Sequence, residues 1–110
     1  MSGAMSRRKG VTGEREAANL FERAGWTLRG YESGGDWLAV RADEYDHNDD
    51  AILVLGKTLH VEVKRAERLK LPEWIRQSER EAVPGSIPCV VWRQNQGDWY
   101  ITMRLEDYLR

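Results

Sequence analysis

At 110 residues, 41% of them apolar, the chain suffices for one domain with a modest core. Charged residues make up 32% but are mixed in sign, with a formal net charge of −1, which excludes a disordered polyelectrolyte and a uniformly basic nucleic-acid binder. A single cysteine, Cys89, excludes an internal disulfide and fits a cytoplasmic protein; no stretch approaches the ~20 apolar residues of a membrane helix, and no secretory leader is evident.

Residues 1–10 are small and basic and read as a flexible arm ahead of a single domain over 11–110. Thr12 is an N-cap for a helix over 13–24, with Ala17, Leu20, Phe21 and Ala24 on its apolar side and Gly25 as its stop. Residues 26–31 alternate as a strand, Ser33-Gly34-Gly35 is a turn, and 37–41 reads as another short strand. An acidic loop follows over 42–49. The runs 52–55 and 58–64, joined through Gly56-Lys57, then read as a hairpin. Pro72 opens a second helix with Leu71, Trp74, Ile75 and Ala82 on its apolar side, and Val83-Pro84-Gly85 ends it. Strands over 87–93 and 99–103 and a helical turn from Leu105 close the chain. Helix, strands, helix, strands implies an α/β fold, one central mixed β-sheet flanked by helices.

Charge is unevenly placed. Residues 43–50 hold Asp43, Glu44, Asp46, Asp49 and Asp50 without a base, and the rest of the chain balances at +4. Bases gather at Arg7-Arg8-Lys9 and at Lys64, Arg65, Arg68 and Lys70, the expected phosphate contacts.

The chemistry gathers around Val61-Glu62-Val63-Lys64. In an alternating strand Glu62 and Lys64 share one face, while Val61 and Val63 share the other. A hairpin with 52–55 brings Asp50 to Glu62. Two carboxylates, an ammonium and the Val63 carbonyl then suit a divalent cation with a water beside it, the requirements of metal-assisted phosphodiester hydrolysis. Asp36 is the rival aspartate. Asp50 is preferred because its twelve-residue separation from Glu62 suits a tight hairpin, whereas Asp36 needs a 26-residue excursion. Glu14, in the first turn of the first helix, complements the helix dipole or completes the site. His60 shares the Glu62 face and reads as a packing residue within reach of the acids. One cysteine and two scattered histidines offer no zinc spacing, and no glycine-rich phosphate loop follows a strand. Trp37, beside the glycine turn, is the tryptophan expected to be exposed for base stacking; Trp26, Trp74, Trp92 and Trp99 read as core or dimer interface.

Arg8-Lys9-Gly10-x-x-x-Glu14-Arg15-Glu16, then Gly25-Trp26 and a strand, resembles the opening of archaeal-type Holliday junction resolvases and their phage-encoded relatives. Val61-Glu62-Val63-Lys64 after an acid-led strand resembles the PD-(D/E)xK nuclease core. Lys64-Arg65-Ala66-Glu67-Arg68-Leu69, Trp74, Gln77, Glu79-Arg80-Glu81-Ala82, Ile87-Pro88-Cys89-Val90-Val91 and Trp99-Tyr100-Ile101-Thr102 are similar to the phage branch. The resemblance implies a restriction-endonuclease-like core and Mg2+-dependent cleavage of branched DNA by a homodimer, with Mn2+ as a substitute ion. It carries over to Glu14, Asp50, Glu62 and Lys64, with Ser33 near the scissile phosphate. The expected Pro-Asp pair reads Asp49-Asp50 here. The alternatives are a non-catalytic branched-DNA-binding module of this fold, or a nuclease of this fold acting on flaps or duplex in restriction, repair or packaging.

Overall fold

The computed structural model describes residues 3–31, 35–41 and 58–109, with residues 3–12 described as backbone only. Its elements are α1 (Gly3–Arg23), β1 (Thr27–Arg29), β2 (Trp37–Val40), β3 (Thr58–Arg65), α2 (Leu71–Glu81), β4 (Ile87–Arg93), β5 (Tyr100–Thr102) and α3 (Leu105–Leu109). The strands form one sheet in the order β1-β2-β3-β4-β5. All neighbours are antiparallel except β3 and β4, which are parallel and joined through α2. The mixed sheet flanked by helices is the expected α/β fold.

Helix α1 starts at Gly3, so residues 3–10 are helical where an arm was expected. Met, Arg and Lys are good helix formers, and extending a nucleated helix adds one hydrogen bond per residue fixed. At its other end Gly25, at φ +96°, turns the chain. Gly25 N–H bonds to Glu22 O at 3.0 Å and Trp26 N–H to Phe21 O at 3.0 Å, the two bonds of a Schellman stop. The buried stripe is Gly13, Ala17 and Ala18, with Phe21 half-buried beside it; Leu20 and Ala24 lie outside it, exposed. Small residues bring the helix close to the sheet, turned slightly from the face the larger side chains suggest.

Ala17 and Ala18 pack on Trp37, Ala39, Leu59, Val61, Cys89 and Val91, the core on the α1 side. Trp37 is 2% exposed. It meets the edge of Phe21 at 5.4 Å and Tyr31 at 6.0 Å between ring centroids, and Phe21 also meets Trp26 at 5.6 Å. Trp37 is therefore a core residue and not an exposed stacking platform. Its odd-numbered place on β2 turns it toward α1 together with Ala39. Cys89 is buried and its thiol is pushed up to about 12 by that burial, an inert core residue as expected. On the other sheet face α2 buries Trp74 and Ser78.

The expected hairpin is replaced by a different pairing. Strand β2 pairs with β3 in the register Trp37↔Val61 to Val40↔Thr58, and β4 takes the opposite edge of β3 from Leu59↔Ile87 to Arg65↔Arg93. Both edges of β3 over 59–61 are thus occupied, and its antiparallel neighbour is β2. Residues 52–55 and Asp50 lie outside the described residues. Among the described residues no helix is long and apolar enough to cross a membrane.

Candidate active site

The register that brings β2 to β3 also sets the acids. Trp37 faces Val61, so Asp36, one residue before β2, lies at the level of Glu62. Alternation along β3 turns His60, Glu62 and Lys64 to the α2 side. The Glu62 side chain is only 8% exposed, and its Oε2 lies 3.2 Å from Lys64 Nζ. Its Oε1 is buried with no hydrogen-bond partner among the described residues. Burial raises the Glu62 pKa, the negative charge of Asp36 raises it further, Lys64 acts in the opposite direction, and Glu81 adds to the rise.

His60, 7% exposed, anchors Asp36. Its Nδ1 accepts the Val83 backbone N–H at 3.3 Å, so the ring proton lies on Nε2, which donates to Asp36 Oδ2 at 3.1 Å. One face of Asp36 is thereby fixed by a buried ring that is itself tied to the segment after α2. Glu81, in the last turn of α2, joins from the same direction: one carboxylate oxygen from each of Asp36, Glu62 and Glu81 lies within 4.8 Å of the others. Glu14 approaches from α1. Its pKa is raised by burial and then by the charge of Asp36, which places the two carboxylates in each other's field.

The Val63 carbonyl lies on the same side. Ala66 N–H donates to Arg93 O, so even-numbered residues on this stretch of β3 turn their backbone groups to β4 and odd-numbered ones turn away from it. The ladder with β2 ends at Val61, which leaves the Val63 carbonyl facing the Asp36 side beyond the end of β2.

Of the residues singled out by sequence, Glu62 and Lys64 come together with Asp36, the rival aspartate, the Val63 carbonyl faces the same side, and Glu14 lies within the field of Asp36. Asp36 lies at the level of Glu62 because β2 is the antiparallel neighbour of β3. Asp50 and Ser33 lie outside the described residues, and Arg7, Arg8 and Lys9 are described only as helical backbone. Arg65, also named as a phosphate contact, turns to the other face of the sheet. Alternation puts it on the α1 face, where it pairs with Glu16 at 3.7 Å while Arg93 meets the same carboxylate at 2.9 Å. Arg68 and Lys70 are exposed between β3 and α2. Glu81 was missed. Its signal was the parallel crossover: a helix joining two parallel strands runs back, so its last turn ends over the first half of β3.

The donor set fits a hard divalent cation. The side-chain donors are carboxylates, a backbone carbonyl is at hand, and one carboxylate oxygen is buried with nothing to accept from. Two acids with raised pKa values mark a place where negative charge is under-compensated by protein. Lys64 is the cation beside them, 28% exposed and able to reach a bound anion.

No curated protein and no solved structure matches the chain. The model of the family described as "Phage putative PDDEXK endonuclease" matches residues 5–110. With that match covering nearly the whole chain, the chain belongs to this phage PD-(D/E)xK endonuclease family.

Proposed function

We propose that the protein is a Mg2+-dependent, structure-selective DNA endonuclease that cuts four-way junctions as a homodimer. The observation that carries the reading is the meeting of the Asp36 and Glu62 carboxylates beside Lys64, with the buried Glu62 Oε1 left without a partner among the described residues. Asp36, Glu62 and the Val63 carbonyl are the residues to hold Mg2+ or Mn2+, with Glu14 at its margin. When bound, the ion supplies Lewis acidity that offsets phosphate charge and makes a neighbouring water easier to deprotonate. The chain's own residues do the rest. His60 keeps Asp36 turned toward Glu62. Lys64 Nζ, held by Glu62, orients a water for attack or meets the charge that develops on the phosphate. Arg7, Arg8, Lys9, Arg68 and Lys70 are the candidate contacts to the DNA backbone, which makes binding fall steeply with salt.

The junction preference rests on the similarity of the helix opening around Glu14 and of the later segments to resolvases. The dimer rests on chemistry: one such centre cuts one strand, so paired cuts across a junction need two.

The test is a cleavage panel of four-way junction, flap, nicked and linear duplex DNA, with and without Mg2+. Asp36→Asn and Glu62→Gln are expected to lower Mg2+-dependent nicking by at least about 100-fold while far-UV circular dichroism and junction binding persist. Cutting by both variants at the parent rate removes the catalytic assignment. Equal cutting of linear duplex and junction removes the structure selectivity. Junction binding without cleavage by the parent at any Mg2+ concentration returns the chain to a DNA-binding module.

A further inference from the structure

We propose that Glu81 is a third carboxylate ligand of the cation, so that the ion is clamped between the sheet and the C-terminal turn of α2. The inference rests on the reading of Asp36 and Glu62 as the metal-holding pair. Its own support is threefold. First, oxygens of Asp36, Glu62 and Glu81 all fall within 4.8 Å of one another, which is the spread of oxygens around a single ion. Second, the 92%-buried Glu62 side chain leaves Oε1 without a partner.

Third, Glu81 is poorly placed for the protein alone. It stands in the last turn of an eleven-residue helix, where the dipole disfavours an anion. It faces two other carboxylates, and among the described residues its partner is the Gln77 amide at 3.4 Å rather than a cation. A divalent ion reverses each of these costs. The arrangement also explains why His60 is tied to Val83: the same turn that carries Glu81 fixes the ring that orients Asp36, so one segment sets two of the three ligands.

The consequence is that the ion joins α2 to β2 and β3 as well as completing the site. Removing Glu81 then weakens the ion's binding even though Glu81 lies outside the Asp…Glu-x-Lys core. The experiment is a titration of the full chain with Mn2+ alone, free Mn2+ being read by electron paramagnetic resonance and checked by calorimetry. Parent, Glu81→Gln, Asp36→Asn and Glu79→Gln are compared. Glu81 is exposed, so its amide variant is expected to fold. Glu79 is on the same helix outside the cluster and serves as the charge control.

The expected result is a loss of Mn2+ affinity of at least about 10-fold for Glu81→Gln, a similar or larger loss for Asp36→Asn, and parent affinity for Glu79→Gln. Parent affinity in Glu81→Gln overturns the proposal; if Asp36→Asn is weakened in the same series, the Asp36–Glu62 centre stands without Glu81. Parent affinity in both variants removes that centre as well. An equal loss in Glu79→Gln reduces the effect to net charge and overturns the proposal too.

Discussion

Glu62 occupies a position where a carboxylate gains little from the protein itself. Burial penalises its charge, Asp36 and Glu81 repel it, and Lys64 offsets only part of this, so its pKa is raised from 4.5. Between 4.5 and that raised value the folded chain keeps a proton that the unfolded chain has released. For this group stability is therefore highest at low pH and falls as pH climbs through the window. Glu14 acts in the same sense. In metal-free buffer Glu62→Gln is expected to be more resistant to urea than the parent at pH 7.5, and the advantage should shrink toward pH 4.5. A series of urea titrations in EDTA measures it, and a variant less stable than the parent at pH 7.5 contradicts it. At this scale the sequence was informative wherever two residues sit on one strand. The Glu62–Lys64 spacing follows from a period of two, and Glu14 was singled out in the helix opening. Asp36 was visible only as a rival, and Glu81 was not singled out, because both depend on which elements become neighbours.

That β2 is the antiparallel neighbour of β3 has a specific reason. A twelve-residue separation between Asp50 and Glu62 favours a hairpin on local grounds, yet doubling a loop's length adds only about 0.6 kcal/mol to its closure. Burying Trp37 and Ala39 against α1 and β3 outweighs that cost easily, with roughly 1.5–3 kcal/mol for a large apolar side chain alone. The strand over 87–93 is legible in the sequence because its apolar run lies inside the sheet and is covered on both faces. The approach of α1 to β3 is similarly a matter of elements. A Cβ at Gly13 falls 3.2 Å from Arg65 Cβ and 3.8 Å from Trp99 Cη2, so the absent side chain sets the spacing that brings Glu14, the next residue, over the sheet. Gly13→Val is expected to destabilise by about 1–3 kcal/mol through overpacking, more than the few tenths gained in helix propensity. It should also weaken Mn2+ binding by displacing Glu14. Urea denaturation and a Mn2+ titration report the two effects. Unchanged stability means that α1 has slack at this crossing.

For the whole molecule, the net charge of −1 conceals a division of labour. Acids converge on one point of the sheet, while Arg68 and Lys70 stand exposed just beyond the C-terminal end of the Glu-x-Lys strand. The far edge of the sheet differs in kind. Ile101 on β5 is 49% exposed, and Leu105 and Leu109 on α3 are 70% and 69% exposed beside Tyr108. Three aliphatic side chains this open on one short C-terminal segment are more than scattered surface apolar residues need, and a second copy of the chain is the occupant that the proposed junction cutting calls for. The proposed dimer contact therefore falls on β5 and α3, since the outer side of α2 carries Glu73, Arg76, Glu79 and Arg80, all exposed. Ile101→Asp combined with Leu109→Asp is then expected to shift the mass measured by light scattering from dimer to monomer. Both positions lie outside the acidic centre, so Mn2+ affinity should hold at the parent level. On a four-way junction the monomer should nick one strand and lose the coupled second cut, visible as nicked rather than linear product from a cruciform plasmid. A parent that scatters as a monomer with junction DNA present, or a double variant that still makes both cuts together, removes the dimer from the mechanism and leaves the metal centre untouched.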